Sequence, residues 1–475
     1  MKRADDGDAG LLARYEAAVG YLESLLKWHT TRPAGYDPQI HLSRERMLLH
    51  RWGDPHLRYP IAHITGTSGK GSTSAMLASI LRAAGHHTGL HTSPYLQAFT
   101  EKIRLDDAYL SIPELAGLVD ELRVHAAAME AGGVHGPPSY FEATVGIALT
   151  AFARHGIGAA VVEVGIGGRH DSTNVLMPNV SVITNVGFDH TGILGHTLHD
   201  IAYQKAGIIK PSVPAVTATN APEALAVIRY EAEAYGAPLT TVHVNEADAP
   251  PDAMHAMIGA LGPEGATFTL RHGDWQLEDA HIHMLGAHQV TNAATAAAAA
   301  RLLDASGVAV PDDAIRTGLE NAFFPGRLEV MQRGPGMPTV VIDGAHNPDK
   351  ARSLVAAIGA LFPGKRVVLV LGMVADKDTA AVLDIVAPMA TMIITTQAPI
   401  INRAVTPAAE LAVQIRARGV PAEAEPDPEA AVAAALDHAG PDDLVCVTGS
   451  LYLVGAVRRH WIATDDVAVR ATSLP

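Results

Sequence analysis

Ile61-Ala62-His63-Ile64-Thr65-Gly66-Thr67-Ser68-Gly69-Lys70-Gly71-Ser72 is the stretch that decides the fold. It reads as a buried strand, a glycine turn and the start of a helix. The helix runs from Ser72 to Ala84, with Met76, Leu77, Ile80 and Leu81 at helical spacing. The glycines let the backbone bend and bring several N–H groups towards one point. The helix N-terminus adds partial positive charge there. Lys70 adds a full charge, and Ser72 offers a hydroxyl suited to Mg²⁺. The stretch is a phosphate cradle running from Thr67 and Ser68 through Gly69, Lys70 and Gly71 to Ser72. It is a shorter variant of the common P-loop, because Ile64 stands where the first glycine would be.

Bulk properties narrow the class. A chain of 475 residues holds two or three domains with full-sized cores. A net charge of −15 argues against an electrostatic nucleic-acid footprint, so anions are expected only in a locally basic pocket. The single cysteine, Cys446, rules out an intrachain disulfide and a cysteine metal cluster. Residues Met1 to Gly10 are acidic and polar, unlike a signal peptide, and no apolar run is long enough to span a membrane. The expectation is a cytoplasmic protein with no membrane partner.

Further along, strands and helices alternate. Leu11 to Trp28 has the pattern of an amphipathic helix, and Ser43 to Trp52 that of a short one. Thr88 to Leu96 reads as a strand ending in a turn, with Ser93 either at a ligand-binding strand end or serving as a cap. Phe99 to Leu105 reads as a mixed-charge loop facing a ligand or solvent. Ser139 is a cap for a helix to His155, with Glu142 in its first turn. Ala159 to Glu163 is an apolar strand that closes on a carboxylate. Beside a P-loop, that is the usual second metal anchor of nucleotide enzymes. Val180 to Val186 is a strand leading to Asp189-His190-Thr191, where His190 is a Mg²⁺ ligand or a satisfied loop histidine. Lys205, on the helix Leu198 to Ile209, reads locally as a solvated lysine. A hairpin turns at His272-Gly273-Asp274, and an alanine-rich helix spans Gly286 to Leu303.

Phe324-Pro325-Gly326-Arg327 breaks the pattern. A second α/β series follows, with strands at Thr339 to Asp343, Arg366 to Gly372, Met392 to Thr396 and Leu444 to Thr448, which implies another parallel sheet. The expected domains are an ATP-binding unit over 1–324, a hinge over 325–335 and a Rossmann-like unit over 336–475.

Several motifs now stand in one order. They are the P-loop, Thr92-Ser93-Pro94, Glu163-Val164-Gly165-Ile166-Gly167-Gly168-Arg169, Asp189-His190-Thr191, Lys205 to Pro211, His288-Gln289 with Asn292, Pro325-Gly326-Arg327, and Asp343-Gly344-Ala345-His346-Asn347-Pro348. Together they closely resemble the Mur ligase superfamily, and within it the folylpolyglutamate synthase and dihydrofolate synthase branch. The resemblance runs from about Leu22 to about Arg458.

It implies an N-terminal P-loop domain of Mur ligase type and a C-terminal Rossmann-like domain, with ATP between them. The γ-phosphoryl group passes to a substrate carboxylate, and the amine of L-glutamate then attacks the acyl phosphate. By the resemblance Ser93, Glu163, His190 and Lys205 hold two Mg²⁺ ions, with Lys205 carbamylated, which displaces the solvated reading. Catalysis then rests on Lys70, Lys205, His190 and Glu163. Asn292, Arg327 and Asp343 match ATP-contacting residues. Ser139, Tyr140, Phe141 and Glu142, with His170, Asp171 and Ser172, match the stretches that hold a pteroate-like acceptor. His346 falls on the glutamate or acyl-phosphate side. A monomer is expected.

The chain also departs from the family's pattern. Ser68 replaces an asparagine, His170 and Ser172 replace leucine and alanine, and Thr100 replaces an asparagine. These changes put the identity of the acceptor in question and leave two other readings open. One is the same ligase chemistry on another acid. The other is a non-catalytic nucleotide-binding relative, against which every candidate metal and phosphate residue is present.

Overall fold

The computed structural model describes residues 6–26, 39–133, 136–246, 250–398, 400 and 403–470. Two sheets organise it. The larger has eleven strands. From edge to edge they are Trp275–Ile282, Gly265–His272, Met254–Gly262, Leu239–Val244, Ala215–Thr217, Val180–Ile183, Ile61–Thr65, Ala159–Glu163, Thr88–His91, Ile103–Leu105 and Ala108–Tyr109. The run from Met254–Gly262 to Thr88–His91 is parallel, and the strands beyond it at each edge are antiparallel.

The central strands Ile61–Thr65 and Ala159–Glu163 are buried at every position, which is why they are mostly apolar instead of alternating, with His63, Thr65 and Glu163 as the polar exceptions. Helices cover both faces. Lys70–Ala83, Ala287–Ala305 and Asp312–Glu320 close one core, and Ile40–Arg51, Ile112–Ala131 and Tyr140–Arg154 close the other. The alanines at 293–294 and 296–300 are buried against the first core, where small side chains permit close helix approach. The register sets Ile64 opposite Glu163 on one side and Val182 on the other. The carboxylate is therefore level with the start of the P-loop, at the C-terminal edge where ligands bind in parallel sheets.

The second sheet has six strands, in the order Glu329–Gly334, Met337–Ile342, Leu444–Thr448, Val367–Leu371, Met392–Thr395 and Ala422–Ala424. All are parallel except the first. The α/β class and both sheets expected from sequence are present.

Three expectations need correction. Within the expected hinge 325–335, Glu329–Gly334 is an edge strand of the second sheet, paired Glu329 to Ile342, so the connection between the sheets is shorter. Phe99 to Leu105 is not an open loop. It forms a buried turn and the strand Ile103–Leu105, with Lys102 only 3% and Arg104 only 7% exposed. Lys205 is 3% exposed and not solvated.

The first helix covers Asp6–Ser24, and the expected end at Trp28 lies outside the described residues. Among the described residues, no helix is long and apolar enough to cross a membrane.

Candidate active site

The C-terminal edges of both sheets open into one cavity of about 980 Å³. That is at the upper end for small-molecule sites. The P-loop from Thr67 to Ser72 lines it, together with Ser93, Glu163, His190, Lys205 and Asn292. From the other side come Arg327, Asp343 and His346. Ser139, Phe141, His170, Asp171 and Ser172 line a further part.

The P-loop is held from outside. Asn185 Oδ1 accepts from Thr67 N at 3.1 Å and from Ser68 N at 2.7 Å, and Thr184 Oγ1 donates to Ser68 O at 2.6 Å. The first helical turn, from Lys70, retains N–H groups without helical partners. Gly69 has φ +81°, and a Cβ there would collide with Asn292 Oδ1, so this position must be glycine. Asn292 is itself fixed by donating to Gln289 Oε1 at 2.8 Å. Lys70 Nζ donates to Gly66 O at 3.1 Å and lies 3.9 Å from Glu163.

Glu163 is buried, and among the described residues its hydrogen bond is from Ser93 N at 3.3 Å. Burial pushes its pKa up, opposed by the Lys70 charge. A carboxylate in this state is stabilised by a dication, and Ser93, His190 and Lys205 line the same cavity. The Glu163 carboxylate and the Ser93 hydroxyl are oxygen donors of the kind magnesium takes. Burial and neighbouring lysine charges push His190 down to about 4 against the pull of Asp189. It is therefore a neutral imidazole at pH 7. Burial, with the Lys70 charge, lowers Lys205 well below its ordinary range.

In the second sheet's loops, Asp343 accepts from Leu328 N and Ala345 N, each at 2.9 Å. His346 Nδ1 donates to Gly344 O at 2.8 Å, so in the neutral ring Nε2 carries the lone pair. Lys350 Nζ lies 3.0 Å from that Nε2.

Two expected acceptor residues are elsewhere. Tyr140 packs its ring 4.9 Å from Lys102 Nζ and 6.2 Å from Phe99, outside the cavity wall. Glu142 is fully buried. It closes a capping box with Ser139 and takes two 2.8 Å bonds from Arg44. Its role in the structure is to anchor the helix Tyr140–Arg154 to Ile40–Arg51. Asp171 reaches the cavity but is also a brace, accepting from Ile166 N, Thr173 N and Thr173 Oγ1.

Some cavity residues take no site role from the sequence, although Asp189 stands in the motif Asp189-His190-Thr191. Asp189 lies among Lys377, Lys350, His346 and Asn347 of the second sheet's loops. Lys102 lines the cavity with its ammonium among the rings of Tyr95, Phe99 and Tyr140, and burial lowers it to about 8. Its place one residue before a short strand was the available signal, and it was masked by the charged neighbours Glu101 and Arg104.

The Mur ligase middle domain family matches residues 64–300, and the Mur ligase glutamate ligase domain family matches 326–451. A dihydrofolate synthase/folylpolyglutamate synthase from Bacillus subtilis is 34% identical over 95% of this chain and 100% of its own length. This chain belongs to the folylpolyglutamate synthase/dihydrofolate synthase family of Mur ligases. It is an ATP-dependent acid–amino-acid ligase of that type. The folylpolyglutamate synthase of Mycobacterium tuberculosis complexed with ADP superposes with a TM-score of 0.82, at 28% identity, over 94% of this chain and 98% of that one. An Escherichia coli relative in complex with DHPP and ADP gives 0.79 at 28% identity, over 93% and 97%. The P-loop and the Asp343 to His346 loop line the same cavity.

Proposed function

We propose that this ligase joins L-glutamate to the carboxylate of a dihydropteroate- or tetrahydrofolate-type acceptor, at the expense of ATP. The observation that carries the reading is the single cavity in which a phosphate cradle, a buried carboxylate and an acceptor wall meet the loops of the second sheet. The γ-phosphoryl group of ATP passes to the acceptor carboxylate, giving an acyl phosphate and ADP. The amine of glutamate then attacks the acyl carbon, forming the amide and releasing phosphate.

The first-turn N–H groups and Lys70 hold the phosphates, with positioning and charge neutralisation supplying most of the rate. Glu163, Ser93, His190 and Lys205 would hold Mg²⁺ at two sites, where it would neutralise charge on the transferring phosphoryl group. Lys205 is favourably placed for carbamylation, because burial and the Lys70 charge disfavour its charged form and so favour the neutral amine that combines with CO₂. Asn292, Arg327 and Asp343 bound the nucleotide. Phe141, His170 and Ser172 bound the acceptor. His346 lines the cavity on the second sheet's side, with Lys350 Nζ 3.0 Å from its Nε2, and bounds the glutamate or acyl phosphate. The two sheets close on the substrates about the connection near Pro325 to Leu328.

Mass spectrometry of the product tests the reading. Incubation with Mg-ATP, L-glutamate and dihydropteroate should add one glutamyl residue per acceptor. An unchanged acceptor mass with dihydropteroate, and again with tetrahydrofolate in its place, would move the chemistry to another acid, with His170 and Ser172 the first residues to exchange.

A further inference from the structure

His281 and His283 lie at the end of Trp275–Ile282, the edge strand of the eleven-stranded sheet. Side chains alternate along a strand. Ala280, Ile282 and Met284 are buried in the core, and the two histidines alternate with them, His281 half-buried and His283 exposed. Their rings meet edge to face, with centroids 4.5 Å apart.

The helix Asp312–Glu320 is laid along this strand by two bonds. Trp275 Nε1 donates to Asp312 Oδ1 at 2.8 Å, and Arg316 donates to Asp279 O at 3.0 Å. The next turn of the helix brings Glu320 to the histidine pair. One ligand atom from each of His281, His283 and Glu320 lies within 4.8 Å of the others.

The three ligand atoms are separated by distances that one ion could span. The bond that His283 makes is to Glu264 O and not to Glu320. Metal–ligand bonds of about 2.0–2.2 Å would close most of that separation, and small rotations of exposed side chains supply the rest. His283 is also oriented. Its Nδ1 donates to Glu264 O at 3.2 Å, which leaves the Nε2 lone pair free to ligate. A carbonyl on the far nitrogen is the usual support of a metal-binding histidine.

We propose that His281, His283 and Glu320 form a binding site for a divalent transition metal of the zinc class. Two imidazoles and one carboxylate, with a position left for water, suit zinc, cobalt or nickel and do not suit magnesium. The bound ion ties the exposed sheet edge to the helix Asp312–Glu320. It stabilises the fold by mass action and takes no part in ligation, since none of the three residues lines the active-site cavity. The nearby Arg316 charge opposes the ion, and its donation to Asp279 O holds the guanidinium on the strand.

The test is Co²⁺ titration of the full chain with Mg-ADP saturating the nucleotide cavity, read by visible absorption, alongside Zn²⁺-dependent thermal unfolding. The wild type should bind one Co²⁺ and unfold at higher temperature with Zn²⁺. His281→Gln and His283→Gln should lose both effects while keeping wild-type ATP turnover and circular dichroism. Glu320→Gln should weaken Co²⁺ binding at least about tenfold. Equal Co²⁺ affinity in the wild type and the double histidine variant would overturn the site. So would a wild type that binds no Co²⁺ and does not respond to Zn²⁺.

Discussion

Lys377 Nζ donates to Asp189 Oδ1 at 2.8 Å, and this bond joins the loops beyond the two sheets. Asn347 Nδ2 donates to the other oxygen at 3.2 Å, with His346 and Lys350 at 3.7 and 3.9 Å. Burial alone would raise the Asp189 pKa. The positive charges of Lys350 and Lys377 instead hold it far below the usual carboxylate range. One carboxylate of the P-loop side is thus the point on which the second sheet's loops converge.

Asp189→Asn removes the charge and keeps the shape. It should lower kcat about 10- to 100-fold, because closure positions the reacting groups. Small-angle scattering should show the wild type compacting with nucleotide and acceptor, and the variant compacting less. Equal compaction with an unchanged kcat would remove Asp189 from the closing step.

Lys205→Ala should reduce turnover at least about 100-fold with the fold retained. Labelled bicarbonate should give a carbamate carbon signal by NMR in the wild type and none in the variant. Near-normal turnover would take the carbamate out of the mechanism.

Arg44→Met leaves the Glu142 carboxylate buried without its bidentate partner. Loss of one partner from a buried pair costs about 3–5 kcal/mol, so the unfolding temperature should drop well beyond experimental scatter. The KM for ATP should stay near the wild-type value. A variant with wild-type stability and a raised acceptor KM would return Glu142 to the binding site.

The pH dependence of stability follows from His63 and His91. Burial pushes both down to about 3. Between that value and the ordinary 6.5 the unfolded chain binds the proton and the folded chain does not, so stability rises with pH across this window. It should be fully present above about pH 6.5 and be lost as the pH falls towards 3. Denaturant midpoints at stepped pH would check this, and His91→Gln should flatten the slope. A slope unchanged by that substitution would rule His91 out as a source.

Much of this was legible in the sequence because the chemistry is local. Ile61 to Ser72 carries strand, turn and helix in one stretch, and Glu163 closes its strand visibly. The opposite held where partners are distant in the chain. Glu142 looks like a site residue beside Phe141, and only the fold brings Arg44 to it. Lys205 reads as solvated from its local sequence alone, a reading that the motif order already displaces, and Lys377 has no site role until Asp189 meets it. The strand Glu329–Gly334 was hidden because an edge strand following a Pro-Gly break looks like linker.

The central claim is glutamate ligation to a pterin acid. Phosphate release from Mg-ATP measures it most directly, comparing dihydropteroate, tetrahydrofolate and no acceptor, each with and without L-glutamate. The account predicts release that needs both a pterin acceptor and glutamate. Release that ignores the acceptor and glutamate, or none with either pterin, would contradict it.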